Sequence, residues 1–300
     1  MLNPKTIRQL SKILGSDRLK KNVSLASYTT FGIGGPAQLF YEAKTNKEIT
    51  KAIKTVRKLK IPCFILGGGS NTLIADSGFP GLVTKIESQK IKVKNNTISA
   101  EAGVPLSKLV KVAQKYSLSG LECCVGIPGT VGGAVVGNAG AKDQWISQSI
   151  KSITILNKNG KIISFKKDYC RFGYRNSFFK KDPSKIILKT IFKLKKENPK
   201  IIKEKTRQFL EAKSNQPKEK SAGSIFKNPA NDSAGRLIDA TGLRGKKVGN
   251  AQISPQHANF IINLNKAKAG DVLALIKLAQ NSVKEKFGVK LELEIKLIGF

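Results

Sequence analysis

Histidine, tryptophan and methionine are nearly missing from this sequence, with one of each among 300 residues. A single histidine, His257, cannot build the imidazole-rich sets that transition metals favour, so proton transfer has to rest mainly on other side chains. Acidic residues are also scarce: 20 Asp+Glu stand against 54 Lys+Arg, giving a net charge of +34 and a pI near 10.1. The four cysteines, at 63, 123, 124 and 170, show no CxxC spacing and two are adjacent. That pattern argues against a zinc site or a disulfide framework and for free thiols in a reducing compartment. No stretch approaches the ~18 continuous apolar residues of a membrane span. In the N-terminal "MLNPKTIRQLSKIL", Ile7, Leu10, Ile13 and Leu14 fall at helical spacing broken by charges, unlike the apolar run of a signal peptide. A cytoplasmic protein without membrane attachment is expected.

The basic excess invites a nucleic-acid reading. Yet the lysines are spread through "KTVRKLK" (54–60), "KKD" (180–182), "KLKKENPK" (193–200) and "RGKKVGN" (244–250), with no helix-turn-helix, zinc-finger or aromatic RNA-binding pattern beside them. A solvated lysine-rich surface that suits an anionic small molecule is the preferred account, with no specific nucleic acid as partner.

Apolar composition of 40% over this length allows a sizeable core and about two domains. Ile49, Ile53, Val56 and Leu59 mark one helix face, followed at once by a short buried strand, "CFIL" (63–66). Residues 90–103 predict a hairpin turning at Asn95-Asn96, and 152–165 another turning at Asn159-Gly160. "KLKKENPK" reads as a linker, which puts a boundary near 197–200. Helices are expected over 201–213 and 270–287, and a terminal strand over 289–299.

Glycines carry the sharpest signal. "FILGGGSNTLI" (64–74) sets Gly67, Gly68 and Gly69, then Ser70 and Asn71, directly after a strand. Without Cβ atoms, successive backbone N–H groups can turn into one concavity and approach a diphosphate closely, with Ser70 able to add a hydroxyl. The run matches neither GxGxxG opening a long helix nor a P-loop, and taken alone it is no more than a tight turn. "GIPGTVGGAVVGNAGA" (126–141) adds six glycines with small neighbours, a backbone able to lie against a flat ring; a buried Gly/Ala packing segment is the bland alternative. Two clusters of such different shape favour a bound cofactor.

Seven blocks now stand in order: "YTTFGIGGPA" (28–37), "LGGGSNTLIAD" (66–76), "GIPGTVGGAVVGNAGA" (126–141), "FGYRNSFFK" (172–180), "SAGSIFKNP" (221–229), "QHANFIIN" (256–263) and "LELEIKLIG" (291–299). Together they resemble the UDP-N-acetylenolpyruvoylglucosamine reductase family, flavoenzymes that complete UDP-N-acetylmuramate for peptidoglycan. The resemblance implies an α+β fold: an N-terminal helical segment (1–27), a two-subdomain FAD-binding module of the vanillyl-alcohol-oxidase type (28–196, dividing near 86), and a smaller α/β substrate domain (200–300). It implies non-covalent FAD on Gly67, Gly68, Gly69, Ser70 and Asn71 and on Gly126, Ile127, Pro128, Gly129, Thr130 and Gly133, with NADPH as hydride donor. It further implies Arg175 as the cation for a developing enolate, Ser224 as the proton donor to Cα, and Glu294 as an acid group nearby. Tyr174, Gly223, Lys227, Asn228, Gln256 and His257 are the expected contacts to the nucleotide sugar, in a monomer.

Each of these residues has a plainer reading. Arg175 could be a surface salt bridge, Ser224 a turn cap after Gly223, and Glu292 and Glu294, two apart on one side of an extended chain, a solvated pair. Arg175 and Ser224 lie 49 positions apart (224 − 175), similar to the shorter of the family's two types, which lacks a substrate-covering loop. Three positions depart from the family pattern: Lys142-Asp143 stand where Tyr-Gly is usual, Gly32 where a basic residue is common, and Lys296 where Arg is usual. An FAD oxidase with histidine-tethered flavin is disfavoured because no histidine precedes His257. A basic binding protein that has lost catalysis is disfavoured by the presence of Arg175, Ser224 and Glu294 together. Acid or heat denaturation is expected to release free FAD into the supernatant; flavin remaining on the precipitated chain would contradict the non-covalent reading.

Overall fold

The computed structural model describes residues 2–300. Helix α1 (Pro4–Leu14) is capped by Asn3, whose side chain accepts from the Thr6 N–H, with proline in its first turn. The segment 1–27 is helical only there and in one short turn: Leu19–Ser24 is an edge strand of the first sheet, pairing antiparallel with Pro36–Ala43. That sheet continues through Phe79–Ile86 to Cys63–Leu66 with parallel pairing, as a crossover through α2 (Asn46–Lys58) requires. Ile49, Ala52, Ile53 and Val56 of α2 are buried on the sheet.

A second sheet of five antiparallel strands runs Ile162–Lys166, Ile150–Leu156, Ile186–Lys193, Thr97–Glu101 and Ile91–Lys94. Both expected hairpins are in it, and Asn95 adopts the left-handed conformation its turn needs (φ 52). Helices α3 (Leu106–Lys115), α4 (Val131–Gly137) and the short α5 (Phe178–Lys181) belong to this half. One core joins the two sheets, with Leu39, Leu82, Ile98, Leu109, Val131 and Phe192 fully buried.

The stretch 193–200 is not a free linker. Helix α6 (Pro199–Glu211) begins at once, and its Phe209 packs into the core of the first two sheets. A third sheet follows, Ser221–Ser224, Phe260–Asn263, Ala251–Ile253 and Lys247–Val248, all antiparallel, covered by α7 (Ala234–Ala240) and α8 (Ala269–Phe287). Its core takes in Phe31, Ile33 and Leu73 from the N-terminal part of the chain. The terminal strand is shorter than expected: only Lys296–Ile298 is in a ladder, parallel to Thr72–Ile74, because its partner is the three-residue strand that leaves the first glycine run.

A second tie crosses the same boundary. Helix α8 has Lys268 at its N-cap position, without a side-chain cap; instead the Asp76 carboxylate accepts from Ala269 N–H at 2.9 Å and Gly270 N–H at 3.2 Å. A carboxylate there satisfies orphan donors and complements the helix dipole. Asp76→Ala is expected to cost about 1–2 kcal/mol, seen as a fall of a few degrees in Tm by calorimetry with the far-ultraviolet spectrum unchanged. An unaltered Tm would contradict this capping role.

Candidate active site

The two glycine runs meet. A Cβ on Gly68 would stand 2.5 Å from the Gly129 Cα, one on Gly67 would stand 2.7 Å from Thr130 Oγ1, and one on Gly129 would stand 2.7 Å from Ser70 Oγ. Only glycine permits this approach, which leaves a floor of bare backbone. Ser70 is a tie across the floor, donating to the Pro128 carbonyl at 3.0 Å. Thr130 caps α4, and Lys85 donates to the Gly67 carbonyl at 2.5 Å from the sheet behind. Gly126, Pro128 and Gly133 are exposed along the same floor. Such a cradle fits a flavin with its diphosphate; among the described residues, no group of three His, Cys, Asp or Glu side chains is placed to hold a metal.

Asn71 faces the other way. Its side-chain amide donates to the Glu294 carbonyl at 3.2 Å, and its own carbonyl accepts from Lys296 N–H at 3.0 Å. The glycine loop is thereby fastened to the C-terminal segment that carries Glu294.

Arg175 sits at the corner of a tight turn closed by reciprocal bonds between Gly173 and Asn176, 3.1 and 3.2 Å, with φ at 50° in the left-handed region. The buried Asn138 anchors this turn through the Gly173 carbonyl at 2.9 Å. The guanidinium donates from Nη2 to the Gly140 carbonyl at 3.0 Å, and its Nε lies 2.7 Å from Glu294 Oε1. The Nε–H is not aimed at that oxygen, so the contact is chiefly Coulombic. Nη1 is buried without an acceptor, and Nε has only the off-axis Glu294 carboxylate, an arrangement costly unless an anion arrives.

Glu292 and Glu294 are resolved by their neighbours. The side chain of Glu292 is 70% exposed and pairs with Lys227 at 3.0 Å, whereas that of Glu294 is 19% exposed beneath Arg175. Burial pushes the Glu294 carboxyl above the ordinary carboxylate range, with Arg175, Lys180 and Lys227 pulling it back.

Ser224 is held by strand chemistry rather than a turn. Ser221 pairs with Ile262 and Ser224 with Phe260, three steps against two, so the strand bulges by one residue. Gly223 supplies the bulge with φ at 74°, and a Cβ there would meet nothing within 4 Å, so conformation and not space requires glycine. Ser224 Oγ has no hydrogen-bond partner among the described residues, unlike a capping hydroxyl. Just beyond it, Ile225 carbonyl accepts from Glu294 N–H at 2.8 Å, placing the serine strand beside the Glu294 segment.

Tyr174, Lys227 and Asn228 line one cleft of about 380 Å³ with Pro229, Lys290 and Glu292. The Tyr174 hydroxyl accepts from Asn228 N–H at 3.2 Å, which brings the arginine turn and the serine loop together. Gln256 and His257 have partners within the chain: Gln256 donates to the Ser214 carbonyl at 3.4 Å, and His257 Nδ1 accepts from Asn259 N–H at 3.2 Å with its ring against Phe260. Burial lowers the His257 pKa, consistent with a neutral acceptor.

Asn259, not singled out on sequence, clamps the serine loop through both ends of its amide, to Phe226 N–H and carbonyl, each at 2.9 Å. Its signal was its place in the "QHANFIIN" block. The three departures also find neighbours. Lys142 and Asp143 form a two-residue left-handed turn, with Lys142 donating to the Gln208 carbonyl of α6 at 3.3 Å. The Lys220 stem fills the space beside Gly32, and the Lys296 ammonium lies 5.4 Å from the Phe64 ring centre.

Two family models match the chain: an FAD-binding domain over residues 36–166 and the UDP-N-acetylenolpyruvoylglucosamine reductase C-terminal domain over 216–298. Curated UDP-N-acetylenolpyruvoylglucosamine reductases of Clostridium novyi and Syntrophomonas wolfei are 40% and 39% identical, each aligned over 97% of this chain and 96% and 98% of their own. The crystal structure of the reductase from Thermus caldophilus superposes with a TM-score of 0.83 at 37% identity, over 94% of this chain and 99% of that one. An alkyldihydroxyacetonephosphate synthase, 17% identical with a TM-score of 0.50 over 65% of this chain and 44% of its own, shares the fold alone. With likeness in sequence and in fold along almost its whole length, the chain belongs to the UDP-N-acetylenolpyruvoylglucosamine reductase family.

Proposed function

We propose that the protein is an FAD-dependent oxidoreductase that reduces the enolpyruvyl ether of UDP-N-acetyl-3-O-(1-carboxyvinyl)glucosamine to UDP-N-acetylmuramate in peptidoglycan precursor synthesis, with NADPH as hydride donor. The observation that carries this reading is the Arg175–Glu294 pair, with the guanidinium Nη1 buried and without an acceptor, fastened by Asn71 to the glycine floor. The chemistry FAD would supply when bound is hydride relay from NADPH to the β-carbon of the enolpyruvyl group. Gly67 to Asn71 and Gly126 to Thr130, with Gly133, would hold FAD.

Hydride addition at the β-carbon leaves negative charge spread over Cα and the carboxylate, and a proton must reach Cα. Arg175 offers a fixed planar cation to that carboxylate and strengthens its hold as charge builds. Ser224, free of other partners, delivers its hydroxyl proton to Cα, where the carbanion is itself a strong base. Glu294, kept protonated to higher pH than an ordinary carboxyl, is the neighbouring acid. Lys227, Asn228 and Tyr174 line the cleft proposed for the nucleotide sugar, and Asn259 and His257 keep the serine loop in place. The chain is read as a cytoplasmic monomer with FAD module and substrate domain as divided above, α6 joining them; among the described residues no helix is long and apolar enough to cross a membrane.

Ser224→Ala is expected to leave flavin reduction by NADPH nearly intact and to slow reoxidation by the enolpyruvyl substrate by ~10²–10⁴-fold, followed by stopped-flow absorbance. Reoxidation close to the wild-type rate would make Ser224 structural.

A pH profile tests Glu294. Its raised pKa keeps the acid form available above the ordinary carboxyl range, so reoxidation should decline only as pH rises through that raised value. In Glu294→Gln this limb should vanish and the plateau fall by about 10²-fold; a limb that survives the substitution belongs to another group.

A further inference from the structure

Lys180 has no part in the roles above. It lies in α5, and its ammonium donates to the Arg175 carbonyl at 3.2 Å. That carbonyl belongs to a residue held in the left-handed region, φ 50°, which costs energy for any side chain with a Cβ unless its surroundings hold it there. Asn138 and the Gly173–Asn176 bridge fasten the turn from one side, and Lys180 fastens it from the other.

The charges facing Lys180 come from three other places: Arg175 on its turn, Lys227 after the strand Ser221–Ser224, and Glu292 and Glu294 on the C-terminal segment. Burial and then Lys227 pull the ammonium below the usual lysine range, while Glu294 pushes it back. Lys180 is exposed overall, yet its ammonium is spent on the Arg175 carbonyl and makes no ion pair with an acid among the described residues. Three cations around one buried carboxyl make sense where an anion is to be received.

We infer, on the reading of function above, that Lys180 is a positioning residue: through the Arg175 carbonyl its ammonium holds the left-handed corner from which the guanidinium reaches Glu294. The Arg175 guanidinium does the binding; Lys180 sets where it stands.

The test uses FAD-loaded Lys180→Met and Lys180→Arg by stopped flow. Lys180→Met should reoxidise ~10–100-fold more slowly with the enolpyruvyl substrate, while flavin reduction by NADPH stays within about threefold. Its Glu294-dependent limb should move to higher pH, because one facing cation is gone. Lys180→Arg, which keeps the cation, should stay within about threefold of wild type, and in an Arg175→Ala background Lys180→Met should add little. Carbon-13 NMR of labelled glutamate reads the Glu294 titration without substrate, and it should rise in Lys180→Met. Should Lys180→Met fail to fold, Lys180→Gln replaces it in every comparison. Reoxidation within twofold of wild type with an unmoved Glu294 titration overturns the inference, as does Lys180→Arg as slow as Lys180→Met. A wild-type protein that the enolpyruvyl sugar cannot reoxidise overturns the proposed function instead, and the NMR titration then decides the role of Lys180 alone.

Discussion

The parallel pairing of Lys296–Ile298 with Thr72–Ile74 is the contact on which the rest of the arrangement depends. The last strand of the chain is laid against the strand that leaves the first glycine run, and Asn71 secures the junction with two hydrogen bonds. Everything that makes the site composite follows from it. Glu294 is placed two residues before the ladder, under Arg175, and the bulged strand with Ser224 is fixed beside Glu294 through the Ile225 carbonyl. Asp76 extends the same junction to the start of α8, and Leu73 is buried in the third sheet's core. Separating the two halves would break backbone ladder bonds and expose apolar side chains, so floor and acid groups hold their relative positions before any ligand arrives.

Within that frame the site is built by leaving groups unsatisfied. Arg175 has its Nη1 buried without an acceptor and its backbone in the left-handed region, and Ser224 Oγ has no partner among the described residues. Glu294 is buried far enough that desolvation outweighs the adjacent guanidinium. A buried donor without an acceptor and a buried carboxyl each cost stability in the folded chain unless a partner satisfies them. Around them, the side chains of Asn259, Asn138 and Ser177 hydrogen-bond to backbone and hold the surrounding loops.

One of the three departures from the family pattern lies close to this machinery. The Lys142-Asp143 turn reaches α6 through the Gln208 carbonyl, and the same hairpin presents the Gly140 carbonyl to Arg175. Leu210 of α6 and Lys213, two residues past its end, stand beside Gly126, with the Lys213 ammonium on the Val125 carbonyl. That edge of the glycine floor is thus walled by α6 and the turn that follows it.

How much was legible follows from the range of the forces involved. The two glycine clusters, the α2 face, the hairpins at Asn95-Asn96 and Asn159-Gly160, and the serine block could be read directly, because backbone freedom and residue periodicity are local properties. The terminal strand was read too long and the start of α6 as a linker, since a ladder lasts only as long as its partner strand and a helix is stabilised by the core its face reaches. Sequence could not choose between Glu292 and Glu294 without a family likeness; a lysine on one and a buried arginine on the other made the choice, and both come from more than 60 positions away. Lys180 and Asn259 were invisible as individuals for the same reason, and His257, chemically conspicuous as the one imidazole, proved to be engaged with Asn259. Composition and local pattern determined what the chain could bind; burial and long-range pairing, which exist only in the folded state, decided which side chains were left free to act.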